Sequence, residues 1–239
     1  MGGDERPRGT SRQRRSARWD GFSLIEVMTA VAIMSVVIGM AVPSIIEWRS
    51  HYEAKKAART LADIFHKARA EAMRTGNQQV VFFGNPGLTD ADGNDVEVAG
   101  AWVPVLVLDE DNPGNANCAI EGGETSAYIR PVADLSWGVT QASGIAPGDS
   151  GGAPFNPNPS WDGGTFTKPD ASKANWVMFR GDGIPLAFEG TATDCGTIGA
   201  TGSGGGGLYM TDGKHDFAVV LSPLGGVRLH LWSGGSWSN

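Results

Sequence analysis

GFSLIEVMTAVAIMSVVIGMAVPSII, residues 21–46, decides how the rest of the chain is read. From Phe22 to Ile46 it holds a single charged residue, Glu26. Drawn as a helix, the run is about 37 Å long at about 1.5 Å per residue. That spans a hydrocarbon core of about 30 Å with some tilt. A cleaved secretory signal has an apolar core of about 7–15 residues with a small-residue cleavage site after it. This run is longer, and its one close match to such a site, Ala30-Val31-Ala32, lies inside it. Residues 22–46 therefore read as a retained membrane helix.

Charge sets the orientation. Residues 1–21 carry Arg6, Arg8, Arg12, Arg14, Arg15 and Arg18 against Asp4, Glu5 and Asp20, a net of +3. The whole chain carries −7, which leaves −10 beyond residue 21. Basic flanks stay on the cytoplasmic side, so the large acidic part is expected outside. That acidic balance argues against a general nucleic-acid binder. Two cysteines exclude a disulfide framework and a multi-cysteine zinc protein. Hydrophobic residues at 41% and charged residues at 19% exclude wholesale disorder. The 35 glycines lack the every-third spacing of collagen and point to a loop-rich part.

A carboxylate within an apolar span is costly and needs a reason. Either Glu26 reaches the headgroups, or it awaits a cationic partner. Gly21-Phe22-Ser23-Leu24-Ile25-Glu26 resembles the cleavage and methylation motif of type IV prepilins and type II secretion pseudopilins. The resemblance implies cleavage after Gly21 by a prepilin peptidase and N-methylation of Phe22. It implies an assembly role for Glu26, which would pair with the terminal ammonium of a neighbouring subunit. An ion pair of that kind serves register more than stability. Pro43 stands where the family often has a helix-bending proline, and proline removes a backbone donor and clashes one turn back.

Past the apolar run the helix is expected to continue as an amphipathic segment, 47–76. Ala54, Ala57, Leu61, Ile64, Phe65, Ala68 and Ala72 recur at spacings of three and four and fall on one face. That face needs a sheet to cover it. Gly76-Asn77 is the expected stop. Strand candidates follow at Gln79–Phe83, Ala101–Leu108 (with Pro104 suggesting an edge or a bulge), Tyr128–Val132 and Trp176–Arg180. Leu208–Thr211, Phe217–Ser222 and Val227–Trp232 are separated by short turn sequences and read as antiparallel hairpins. Residues 109–174 read as an elaborated insertion, mostly loop, within a β-rich head at 77–239.

LYMTDGKHDFAVVLSPLGGVRLHLW, Leu208 to Trp232, is similar to the C-terminal end of the GspH/FimT family of minor pseudopilins and minor pilins. The two resemblances imply an α+β fold, a long N-terminal helix packed on an antiparallel, β-sandwich-like head. They imply a minor pseudopilin of type II secretion, a structural subunit without catalysis or cofactor. The alternative within the family is a minor pilin of a type IV pilus. The implied partners are the prepilin peptidase, other pseudopilins or pilins and the inner-membrane assembly platform. The implied location is a single-pass inner-membrane protein with a basic leader, 1–21, on the cytoplasmic side and the head in the periplasm. Some relatives bind DNA through a C-terminal Gly-Arg-x-Arg motif. Here Gly226-Val227-Arg228-Leu229-His230 supplies one arginine only, so DNA is not an expected partner.

A reading of another class is a membrane-anchored serine protease. Gly148-Asp149-Ser150-Gly151-Gly152 matches the string around the trypsin-like nucleophile. Such a serine needs a histidine base oriented by a carboxylate. The upstream histidines, His51 and His66, both fall on the expected helix. Among oxygen-rich turns, Asp90, Asp92, Asn94 and Asp95 form one and Asp109, Asp111, Asn112 and Asn115 another, weak calcium candidates that miss the EF-hand spacing. The histidines show no metal-ligand spacing, and His215 and His230 read as surface or packing residues. Cys118 and Cys195 are expected to pair if the head lies in an oxidising compartment, two buried thiols being the alternative. A loop of that length contributes up to about 4.5 kcal/mol in the chain-entropy account.

Overall fold

The computed structural model describes residues 22–84, 87–89, 93–98, 100–110, 118–120, 125–130, 136–157, 161–190 and 194–238. The side chains of 41–47, 109–110 and 125–126 lie outside that description. The chain separates into two units, one ending at Ile46 and one spanning Glu47–Asn239.

One helix, α1 (Leu24–Thr75), enters both units. Val27 donates to the Ser23 carbonyl at its start. At its end Gly76 takes φ 79° and donates to the Ala72 carbonyl, a left-handed stop that suits glycine. In the first unit every residue from Phe22 to Met40 is exposed, including Leu24, Ile25, Met28, Val31, Ile33 and Ile38. The stretch Leu24–Met40, about 26 Å of helix, carries a single charge, Glu26. Among the described residues no helix is long and apolar enough to cross a membrane. The remainder of the expected span, 41–46, lies where side chains are not described.

In the second unit the helix becomes one-sided. Ala54, Ala57, Ala58, Leu61, Ile64, Phe65, Ala68 and Ala72 are buried in one cluster. Fully burying residues such as Leu61, Ile64 and Phe65 is worth about 1.5–3 kcal/mol each. The sequence asks for one sheet on this face; the structure supplies two. The first runs β5-β4-β1-β7-β8, from β1 (Gln78–Phe83), β4 (Val105–Glu110), β5 (Thr125–Ile129), β7 (Trp176–Phe179) and β8 (Pro185–Leu186). The second runs β12-β11-β10-β9-β6, from β6 (Ser136–Trp137), β9 (Gly206–Thr211), β10 (Asp216–Leu221), β11 (Val227–Ser233) and β12 (Ser236–Ser238). A short hairpin joins β2 (Glu97–Val98) to β3 (Ala101–Trp102). All named pairings are antiparallel. The fold is α+β, as the pattern implied.

Alternation explains how both sheets meet the helix. Val81 and Phe83 of β1, Val105 and Val107 of β4, and Val177 and Phe179 of β7 join the helix cluster. So do Leu208 and Met210 of β9 and Phe217, Val219 and Leu221 of β10. Their neighbours Val80, Phe82, Leu106, Leu108 and Met178 form a second cluster on the opposite face of the first sheet. Tyr209, Ala218 and Val220 form a third on the opposite face of the second sheet. A strand of period two buried on both faces reads as a continuous apolar run, which is why β1, β4 and β10 were visible from sequence.

The covers on the two outer faces come from irregular chain. Leu88, Val103, Phe188, Cys118 and Cys195 close the first. Val139, Ala142, Ala146 and Trp161, with Phe155 against them, close the second. The 109–174 segment is therefore more than an insertion of loops. It supplies β5 and β6 as sheet members and the lid over the second sheet. Pro104 is neither an edge nor a bulge residue. It stands in the break between β3 and β4, where its carbonyl accepts from Gly84 at 3.0 Å. The bulge falls further on, between Val107 and Leu108 against β5.

Candidate functional site

The N-terminal site is a linear one. Ser23 precedes the helix, and Glu26 lies three residues later in its first turn. Ser-x-x-Glu at a helix start is a capping-box pattern, and a carboxylate there is favoured by the helix dipole. Glu26 thus suits a helix end on local grounds alone, and it is solvent-exposed, as is Phe22. Gly21 lies outside the described residues. Pro43 lies within α1, which is helical on both sides of it, and its side chain is outside the description.

The second feature was not read from the sequence. Helix α1 brings His51 to the tight turn between β9 and β10, where Asp212 and His215 sit. Each of the three can offer one ligand atom, with all of these atoms within 4.8 Å of one another. Asp212 Oδ1 accepts from the amides of Lys214 (2.8 Å) and His215 (2.6 Å). Asp212 Oδ2 lies 3.0 Å from His215 Nδ1 and 3.9 Å from His51 Nδ1. The two imidazole rings are 4.2 Å apart at their centroids. His51 Nδ1 is buried and makes no hydrogen bond among the described residues. Burial, the nearby His215 and Lys55 hold the His51 imidazole below its usual range, against the opposing pull of Asp212. Burial raises the Asp212 carboxyl, but the Lys214 and His215 amides and the His215 ring outweigh it and hold it low. Cross-chain convergence of this kind leaves no spacing signal, since the helix and the turn lie far apart in sequence.

The GDSGG string has a structural use. Asp149 Oδ2 accepts from the Tyr209 hydroxyl at 2.6 Å, and Asp149 Oδ1 accepts from the Gly151 amide at 2.8 Å. Thr165 Oγ1 donates to both carboxylate oxygens at 2.9 Å and accepts from the Gly207 amide at 2.7 Å. The Tyr209 hydroxyl also accepts from the Ala146 amide at 2.9 Å. Burial and then the Asp149 charge push the Tyr209 hydroxyl far above its usual range. A Cβ on Gly207 would meet Asp149 Oδ2 at 2.8 Å, so glycine is what lets the carboxylate come this close to β9. His51 is engaged with the β9–β10 turn and His66 is exposed on α1. No histidine is hydrogen-bonded to Ser150 among the described residues. The aspartate of the string is spent on holding the lid.

A second carboxylate, this one fully buried, works the same way. Asp216 opens β10 fully buried and accepts from the amides of Thr140 (2.9 Å), Gln141 (2.6 Å) and Ala142 (2.6 Å). The first lid is fastened differently. Cys118 and Cys195 are joined in a disulfide with their Cα atoms 4.8 Å apart. The calcium candidates cannot be placed: Asp90, Asp92 and Asp111 lie outside the described residues, as does the side chain of Asp109. On β11, Arg228 is exposed while His230 is 1% exposed, so the place of a second arginine is occupied by a buried ring.

Comparison with known proteins bears on the N-terminus. No curated protein and no solved structure matches the chain. A family model described as the prokaryotic N-terminal methylation motif matches residues 20–42, the segment that holds Phe22, Ser23 and Glu26. At its N-terminus, then, the chain is type IV prepilin-like, a long helix bearing a methylation motif ahead of an antiparallel β head.

Proposed function

We propose that the chain is a minor pseudopilin of a type II protein secretion system, a structural subunit of a short periplasmic pseudopilus. The observation that carries this is the methylation motif at 20–42, seated on a helix whose apolar residues are exposed from Phe22 to Met40. An apolar surface of that extent calls for lipid or other helices. In this reading prepilin peptidase removes residues 1–21 and methylates Phe22. Residues 22–46 hold the protein in the inner membrane until the assembly platform moves it into a filament. Residues 47–76 then serve as the spine of the periplasmic head, 77–239. Glu26 pairs with the ammonium of a neighbouring subunit, and Pro43 adjusts the helix for packing. Gly21 is the residue left on the discarded leader.

The C-terminal hairpins favour the GspH-like secretion branch over a type IV minor pilin. Uptake of DNA is disfavoured, because Arg228 has a buried His230 where a second phosphate-binding cation would stand. A clean deletion strain, assayed for secreted enzymes and for surface pili, tests the assignment. Lost secretion with intact pili is expected. Lost pili with normal secretion would move the protein to a type IV pilus. In the complemented strain, Glu26→Ala is expected to be cleaved normally yet to drop at least about tenfold in the sheared filament fraction. Equal incorporation of the variant would remove Glu26 from assembly.

A further inference from the structure

We propose that His51, Asp212 and His215 form a binding site for a zinc-class divalent transition-metal ion, which fastens helix α1 to the β9–β10 turn. The donor set is two imidazoles and one carboxylate, the mixture that suits zinc and its neighbours. Calcium and magnesium ask for oxygen ligands and are not expected to compete.

The geometry argues for a ligand rather than for chance proximity. Asp212 divides its two oxygens by task. Oδ1 is taken by the backbone amides of Lys214 and His215, which fixes the carboxylate in its turn. Oδ2 is left facing both imidazoles, at 3.0 and 3.9 Å. A tetrahedral ion with bonds of about 2.0–2.1 Å places its ligand atoms about 3.3 Å apart; the two Asp212 separations bracket that value, and all three ligand atoms lie within 4.8 Å of one another, so closing on an ion asks for a small inward shift. The Lys214 and His215 amides hold the carboxylate in one orientation, as groups behind a metal ligand characteristically do.

The independent observation is His51 Nδ1. It is buried, has no hydrogen-bond partner among the described residues, and lies on the Asp212 side of the ring. A buried ring nitrogen without a partner costs free energy, and a metal ion would satisfy it. The two half-buried imidazole rings lie 4.2 Å apart at their centroids beside the same carboxylate, an arrangement open to shared coordination. Three protein donors leave the fourth position to water. The turn itself is braced, with Gly213 donating to Thr211 Oγ1 at 3.0 Å and Asp212 donating to the His215 carbonyl at 3.2 Å. A site shared by the helix and a braced turn ties elements that the sequence keeps far apart.

The test uses the full chain, purified in detergent without a histidine tag and stripped with chelator. Zinc chloride is titrated by calorimetry, and cobalt(II) is used as a spectroscopic reporter. One ion per chain is expected, with tetrahedral cobalt absorption displaced by zinc and unmoved by excess calcium or magnesium. His51→Ala and His215→Ala are each expected to weaken binding at least about tenfold. His215→Gln covers the case in which an alanine variant misfolds, and circular dichroism checks each fold. His66→Ala, an exposed histidine on the same helix, is expected to leave affinity unchanged. Absence of binding at micromolar zinc overturns the proposal. So does binding that survives the His51→Ala/His215→Ala double variant, which would mark capture by scattered surface groups. Displacement by calcium would overturn the metal class.

Discussion

The two sheets share a helix and differ in how their outer faces are closed. The lid over the first is tied covalently, Cys118 to Cys195. The lid over the second is tied by two carboxylates, one half-buried and one fully buried: Asp149 reaches Tyr209 and Thr165, and Asp216 gathers three successive amides. A covalent tie acts mainly on the unfolded chain and depends on the redox state of its compartment. A carboxylate tie acts on the folded chain, by satisfying backbone groups that burial would otherwise leave unpaired. One molecule thus contains both answers to the problem of ordering irregular chain over an apolar sheet.

The largest break expected in this comparison is the covalent one. Cys118→Ser with Cys195→Ser is expected to cost about 2–4 kcal/mol by denaturant unfolding. Hydrogen exchange should rise around residues 118–120 and 186–198 and stay slow at 138–157. Loss of protection in both lids together would show that they are one cooperative unit. Next comes Asp216→Ala, expected to cost about 2–3 kcal/mol by leaving the Thr140, Gln141 and Ala142 amides without their acceptor. Here the exchange pattern should invert, with 138–157 opening and the disulfide region protected. A stability within about 0.5 kcal/mol of the parent would mean that water replaces the carboxylate without loss.

The smallest effect concerns pH, and it also separates the two lids. His230 lies at the edge of the second lid, where burial and then Arg228 hold its imidazole below the usual range, against contacts to the Ser238 and Pro147 backbones. The unfolded chain then binds the proton more readily than the folded one, so stability rises with pH across this window. The contribution is full above about pH 6.5, the ordinary histidine value, and is lost as pH falls from there toward the lower folded value. Melting temperature in metal-free buffer should therefore fall from pH 7 to pH 5. His230→Gln should flatten part of that slope, while the disulfide variant keeps it. An unchanged slope in His230→Gln would place the pH dependence elsewhere.

Much of this architecture was legible because it is local. The stripe from Ala54 to Ala72 announces a one-sided helix, Gly76 announces its stop, and the runs at 208–211, 217–222 and 227–232 announce hairpins. The strands that escaped, β2, β6, β8 and β12, have two or three residues each and are defined by what they pair with, not by their own composition. The Asp149 and Asp216 anchors escaped for a related reason, since an aspartate in a glycine-rich stretch looks like a solvated turn until its distant partners are known. The methylation motif is the opposite case, because a peptidase reads it as linear sequence. The three-residue cluster at His51 belongs to the hidden class, created only when the helix meets a turn.

The ordering of each sheet has a consequence for crowding. Both sheets end on short strands, with the two-residue β8 and β6 at one end of each and the three-residue β12 at an end of the second. An edge that brief offers little unpaired backbone for another chain to copy. Wherever copies of such a head are crowded together, long free edges invite irreversible sticking. Among the described residues three of the four rims are blunt, which leaves crowded copies little backbone on which to pair irreversibly.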